Sequence, residues 1–408
     1  MNSKRKWLRF LAVSILAALT ACGGGGGGGG GNVAGGGAAP VPDPAPAPPG
    51  AVSTWESVSA GGDHTLATRS DGTLWAWGDN GVGQLGDGTL VIQSKPTQIG
   101  SATNWTSVSA GVFHTLAIRA DGSLWAWGQN DSGKLGDDTT IDKSVPTQIG
   151  TATNWVSVAA GNNHSLATRS TGALPGQPAT LWAWGDNRSG QLGDGTTVNK
   201  SVPTQIGTST NWVSASADAF HTVATRSDGT LWGWGFNGFG QLGDGTVVDK
   251  FVPTQVGTST TWAAASAGGN HTVGRRTDGT LWAWGYNGDG QLGDNTNLNK
   301  SAPVQIGTAA NWASIFAGDI HTLATRSDGT LWSWGANVYG RLGDGTTLNK
   351  GVPTQIGTLT NWAAVSAAGH SLAKRSDGTL WAWGYNFYGQ LGDGTTVNKS
   401  TPVNIPVP

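Results

Sequence analysis

A pair of tryptophans two residues apart recurs seven times along this chain: Trp75/Trp77, Trp125/Trp127, Trp182/Trp184, Trp232/Trp234, Trp282/Trp284, Trp332/Trp334 and Trp381/Trp383. That spacing puts both indoles on one face of a β-strand. In the copy at residues 380–395, LWAWGYNFYGQLGDGT, Leu380 and Ala382 take the other face, and Gly384 ends the strand. Most pairs lie 50 residues apart. A period of that size with strand-like patterning means an array of units, none of which can bury its apolar face alone.

The unit at residues 105–150 shows the plan. A strand begins at Trp105 and breaks at Gly111, and a second begins at His114. Asp121-Gly122 signals a hairpin in which both turn positions need positive φ. The tryptophan strand from Leu124 follows, then a loop, then a fourth strand beginning at Pro146 and suited to a sheet edge. Four short strands per unit with no helical periodicity predict an all-β fold, a propeller of seven four-stranded blades spanning residues 52–408. The third unit carries a longer hairpin loop over residues 171–180, the seventh lacks one residue before His370, and the first has Gln93 where the others have Lys.

Glycine is abundant and charge sparse, a composition that often accompanies disorder. The 22 tryptophans oppose that reading, because all but Trp7 fall in the array, three per unit, and indoles supply much of its core.

Residues 1–22 have a basic start, an apolar run and then small residues, the pattern of an export signal. Leu19-Thr20-Ala21-Cys22 resembles a bacterial lipobox, which makes Cys22 the expected lipid attachment site. It is the only cysteine, so no disulfide is expected. The glycine run and the Pro/Ala stretch of residues 23–51 read as a tether. The expected location is the cell envelope, lipid-anchored and facing the periplasm or the cell surface. Without the basic residues of the signal the balance is 19 against 25, or −6, the wrong sign for a nucleic-acid binder.

The array resembles the repeats of the regulator of chromosome condensation family. The matching features are Gly-x-x-His-Thr-Leu-Ala, as at residues 61–67, and the segment ending Gly240-Gln241-Leu242-Gly243. Membership implies a closed seven-bladed β-propeller. The founding member promotes nucleotide exchange on a small nuclear GTPase and docks on chromatin, partners that an exported protein would not meet. Members that sense UV-B light carry Trp and Arg before the repeated histidine. Here those slots hold pairs such as Gly62/Asp63 and Val112/Phe113. A secreted bacterial member that inhibits β-lactamases through loops on one face is the nearest precedent.

All seven histidines (His64, His114, His164, His221, His271, His321 and His370) occupy one repeat position. Catalysis needs one unequal residue, so seven equivalent imidazoles read as copies of a structural part. The aspartates of Leu-Gly-Asp read as turn residues rather than calcium ligands, and the arginines preceding the hairpins, Arg69 to Arg375, read as solvated. No catalytic residue, metal site or cofactor is expected. The variable positions of the Trp-Gly-x-Asn-x-x-Gly loop behave differently. Units four to seven place Phe236, Phe239, Tyr286, Tyr339, Tyr385, Phe387 and Tyr388 there. Those rings are the expected partner-binding residues of a monomeric, membrane-tethered binding module. An exchange regulator of the founding type is the alternative.

Overall fold

The computed structural model describes residues 53–172 and 179–408. The expected export signal, Cys22 and the whole tether lie outside the described residues, as does the tip of the third unit's insertion.

Each unit forms an antiparallel meander of four strands in sequence order, giving 28 strands in seven blades among the described residues. Blade one comprises Trp55–Ala60, His64–Arg69, Leu74–Gly78 and Gln93–Gln98, and blade seven Trp362–Ala367, His370–Arg375, Leu380–Gly384 and Lys399–Ile405. The first strand is innermost and the fourth forms the exposed outer edge. In a meander, the turns between strands one and two and the loops between strands three and four share one face of the disc. The strand two–three hairpins occupy the other.

Two local expectations need correction. The fourth strand of the second blade is Lys143–Gln148, so Pro146 sits inside it. The register slips there, between the pairs Ala126–Thr147 and Gly128–Lys143, and an edge strand needs no N–H on its free side. In the Asp121-Gly122 hairpin only Gly122 has positive φ, at 75°. Gly122 N donates to Arg119 O at 2.9 Å, and Asp121 Oδ1 accepts from Ser123 N and Oγ. This is a four-residue turn closed by a left-handed glycine, with the aspartate as an internal acceptor.

The alternation within the tryptophan strand decides how blades stack. Trp77 packs with Trp55, at 5.7 Å between ring centroids. Leu66, Leu74, Ala76, Leu85 and Ile99 on the opposite face of blade one meet Trp105, Val108, Ala110 and Trp127 of blade two. Every seam therefore joins a tryptophan face to an aliphatic face. The seam between blades seven and one is built alike, from Leu372, Leu380, Leu391 and Ile405 against Trp55, Val58, Trp75 and Trp77. Among the described residues the ring is closed by packing, with no strand exchanged between first and last blades.

The repeated arginines are not free in solvent but buried or half-buried over the tryptophans. The guanidinium carbon of Arg119 lies 3.8 Å from the Trp125 ring centroid and 4.4 Å from that of Trp105, and all seven arginines lie over the corresponding pair. An aromatic face attracts the cation, and its stem covers indole that would otherwise meet water.

Candidate functional site: the aromatic loop face

The long loops are held by their own polar groups. Asn80 Nδ2 donates to Asp87 Oδ1 at 3.0 Å and to the carbonyls of Thr89 and Val91, while Asn80 Oδ1 accepts from Leu85 N. Asp87 Oδ1 also accepts from Thr89 N at 2.9 Å. The Asn–Asp bond recurs in every blade. In blades two to seven a lysine joins the aspartate, as Lys143 joins Asp137 at 3.3 Å, and in blade one Gln93 does so. The Leu-Gly-Asp aspartates are thus scaffolding of the loop. The residues flanking the asparagine carry none of that scaffold, which leaves their side chains free to differ.

The histidines link the blades. His114 Nε2 lies 2.9 Å from Ser165 Oγ, whose hydroxyl donates to Lys134 O at 2.7 Å. The other six histidines meet a Thr or Ser hydroxyl of the next blade in the same way, and each such hydroxyl donates to a carbonyl of the preceding blade's long loop. Since the hydroxyl proton is committed to the carbonyl, the ring must donate from Nε2. Burial holds His64, His221, His271 and His370 down to about 3 and His164 to about 4, with His114 and His321 also well below the usual imidazole value. These are structural joints, sealed from solvent.

The seven expected ring residues gather into two clusters. In the first, Phe236 stands edge-on to Phe239 at 6.0 Å, and Phe239 to Tyr286 of blade five at 5.2 Å. Phe220 extends it, 6.4 Å from Phe236. Phe220 was not expected there, because it belongs to the strand one–two turn rather than to the loop pattern. A shared period with Phe113 before the histidine was the available signal. In the second cluster, Tyr339 of blade six lies 4.9 Å from Tyr385 of blade seven, Tyr385 is parallel to Phe387, and Tyr388 meets both edge-on. Phe236 folds over its own loop, where a Cβ on Gly238 would come within 2.6 Å of its Cζ. Phe387 and Tyr339 stay outside, 63% and 47% exposed.

The RCC1-like domain model matches residues 176–408, and the regulator of chromosome condensation (RCC1) repeat matches residues 71–118 and 121–168, with a second model of that repeat covering 55–84, 105–134 and 155–191. The chain belongs to the RCC1 repeat family. No curated protein gives a significant sequence match. Among solved structures, Prp20p from Saccharomyces cerevisiae is 24% identical with a TM-score of 0.71, the alignment covering 82% of this chain and 85% of that one. Its structure was described together with its binding to Gsp1p and histones. Human WBSCR16 is also 24% identical, with a TM-score of 0.68 and coverage of 77% and 84%. At these identities the likeness establishes the fold, a seven-bladed RCC1 propeller.

Within this RCC1 ring, blade six departs from the repeat beside the second cluster. Five blades carry a glutamine after the loop glycine, and its Oε1 accepts from the preceding x position, as Gln241 does from Phe239 N at 3.0 Å. Blade six has Arg341, which has no acceptor. Arg341 Nε instead donates to Val338 O at 3.1 Å, and Tyr339 takes φ 70°. A left-handed tyrosine is costly, and it sits at an exposed edge of the cluster. Blade two also lacks the glutamine. There Lys134 is buried and donates to Gln129 Oε1 and Asn163 Oδ1, at 2.8 and 2.9 Å, and pairs with Asp131.

Proposed function

We propose that this protein is a membrane-tethered, extracytoplasmic binding module that engages a protein partner through the aromatic rings of blades four to seven. The observation that carries the reading is where the rings lie relative to the point of chain entry. Ser53 Oγ donates to Asp71 Oδ2 at 3.0 Å and Trp55 N to Gly378 O at 3.2 Å, so the chain enters beside the hairpins. The rings occupy the opposite face, about 20 Å away for six-residue strands. A tether fixed at Cys22 would join the domain at the hairpin face and leave the ring face unobstructed by the attachment. Eight rings grouped on a rigid scaffold, with two of them largely exposed, have the chemistry of a protein-binding patch. The buried histidines offer no accessible base, which weighs against an enzyme.

The test is capture of envelope proteins by the wild-type chain and by a Tyr339→Ala/Phe387→Ala variant. Both side chains project from the fold, so the expected outcome is loss of capture with little change in melting temperature. Capture at wild-type strength would remove the patch from consideration. The anchor has its own test. Cys22→Ser should abolish labelling by a fatty-acid probe, and equal labelling of the variant would rule out the lipoprotein assignment. Cell fractionation separates this reading from a cytoplasmic exchange regulator.

A further inference from the structure

The glutamine that follows the loop glycine has a second polar end. Its Oε1 accepts from a backbone N–H in all five blades that carry it, so Nε2 is the donor end of each amide. In blade one Gln84 Nε2 donates to Asp79 Oδ2 at 2.8 Å, within its own loop. In blade seven Gln390 Nε2 donates to Asp63 Oδ1 at 3.3 Å, in the strand one–two turn of the next blade. Lys134 of blade two reaches both kinds of acceptor, Gln129 Oε1 in its own loop and Asn163 Oδ1 in the next turn. The repeat thus places the acceptor for this side chain at one of two positions, in the loop or in the next turn.

In blades three to five neither position serves. Gln191, Gln241 and Gln291 are fully buried, and among the described residues their Nε2 groups have no hydrogen-bond partner. The substitutions responsible include those that build the first ring cluster. Phe236 and Tyr286 take the loop position in blades four and five, while Phe220 and Ile320 take the turn position next to Gln191 and Gln291. Phenylalanine and isoleucine accept no hydrogen bond, and the Tyr286 hydroxyl lies over Gly288. Asp186 keeps a carboxylate in blade three, but Arg188 holds both of its oxygens. Asn270, in the turn beside Gln241, makes no side-chain bond to it among the described residues. Three successive blades therefore bury an unpaired donor beside Phe220, Phe236, Phe239 and Tyr286, at a cost to stability in each.

The unpaired groups define what this part of the face lacks. All three are donors, so their complement is an oxygen that accepts and carries no proton of its own. A sugar hydroxyl brings a further proton for each donor it satisfies. A carboxylate calls for a cation, and Arg188 is already paired with Asp186. A backbone carbonyl meets the requirement. In an extended chain it comes with side chains on both faces, which suits a site where donors and aromatic rings alternate.

We propose that the first ring cluster seats an extended, uncharged apolar segment of the partner protein, whose backbone carbonyls accept from the buried amides of Gln191, Gln241 and Gln291. All four rings of the cluster are half-buried, and Phe236 and Tyr286 rest on Gly238 and Gly288, where any Cβ would collide with them. As the segment docks, these two rings turn off their glycines and pack on its apolar side chains, opening the way to the amides. Donors left unpaired in the free protein are satisfied only in the complex, so the hydrogen bonds add directly to affinity.

This inference rests on the binding-face reading above but has a separate test. A phage-displayed library of random dodecapeptides is panned against the full chain, and enriched peptides are titrated by fluorescence polarisation. The expected sequences are uncharged and apolar. Gln241→Glu keeps the acceptor for Phe239 N but exchanges the donor for a second acceptor, so it should weaken these peptides about tenfold. Phe239→Ala should weaken them by a similar factor. Gln241→Met repeats the test without added charge, Gln84→Met in blade one should leave affinity unchanged, and melting temperatures establish that each variant is folded. The seat is overturned by failure to enrich over a blank surface, by charged consensus sequences, by tighter binding of the neutral sugar maltoheptaose, or by equal affinity in the Gln241 variants. If any of these occurs while envelope capture still depends on Tyr339 and Phe387, the seat is wrong and the binding face stands. If capture is also unchanged in the Tyr339/Phe387 variant, both readings fall.

Discussion

His370 Nε2 and Thr65 Oγ1 lie 2.7 Å apart, although 305 positions separate them in the chain. The Thr65 hydroxyl also donates to Gln390 O, as does Trp77 Nε1, so the first and last blades share the joint found at the internal seams. With no exchanged strand among the described residues to latch the ring, closure there depends on this joint and the apolar packing beneath it.

Thr65→Val keeps the side-chain shape but leaves a buried imidazole N–H unpaired and removes one of the two donors to Gln390 O, which costs about 1–3 kcal/mol. Thr272→Val makes the same change at the seam between blades four and five, where His221 Nε2 meets Thr272 Oγ1 at 3.1 Å. In a closed ring the two variants should lose similar stability in chemical denaturation. If Thr65→Val were harmless while Thr272→Val was not, the ring would not be closed in solution.

The seven histidines set an acid limit. Each has a folded pKa far below the ordinary 6.5, so the unfolded chain takes up protons that the folded chain refuses. Their stabilisation is complete above the unfolded pKa and is lost as pH falls below about 6.5. One unit lower, each costs about 1.4 kcal/mol, on the order of 10 kcal/mol for the set. That equals the whole stability of many domains. We expect a steep unfolding transition between about pH 6 and 5, followed by tryptophan fluorescence. A protein that stayed folded at pH 4 would require protonated rings to be accommodated within the seams.

The blade count, the strand alternation and the structural nature of the histidines were legible in the sequence because each is repeated. A position that recurs seven times reports on the blade, and Trp75/Trp77 or Asn80/Asp87 can be read from pattern alone. The arginines were misread because a charged residue before a turn looks solvated until Trp55 and Trp75, 20 residues apart in sequence, are seen to close around Arg69. The grouping of the rings into two clusters was equally hidden. It depends on which loop leans over which blade, and on Phe220 entering from a different turn.

Asp218 is the one residue of the histidine joints that breaks the pattern unfavourably. Five blades have glycine there, because a Cβ would press on the histidine ring, as Gly61 would on His64 Cε1 at 2.5 Å. Blade seven tolerates Ala368, but blade four buries a carboxyl with neither oxygen paired, 3.8 Å from His221 Nδ1. Burial raises the Asp218 pKa well above 3.8, so the folded protein keeps a proton the unfolded chain has lost. Stability therefore falls as pH rises above the ordinary carboxylate range. Asp218→Ala should raise the melting temperature, by about 1–3 kcal/mol in stability, and by more at pH 8 than at pH 5. A destabilised variant would show that the carboxyl has a partner in solution.

Arg341 tests whether the strain beside the ring cluster has a purpose. Arg341→Gln restores the acceptor that the other loops use, so the Tyr339 N–H can bond to it as Phe239 N bonds to Gln241 Oε1. Tyr339 should then leave its left-handed conformation, φ 70°, and the chain should gain about 1–3 kcal/mol. If the strained turn exists to hold the Tyr339 ring against Tyr385, capture of the partner should weaken while the melting temperature rises. Stability and binding moving in opposite directions would identify the turn as selected for contact. A gain in both would reduce Arg341 to a tolerated substitution, with Tyr339 well placed in either conformation.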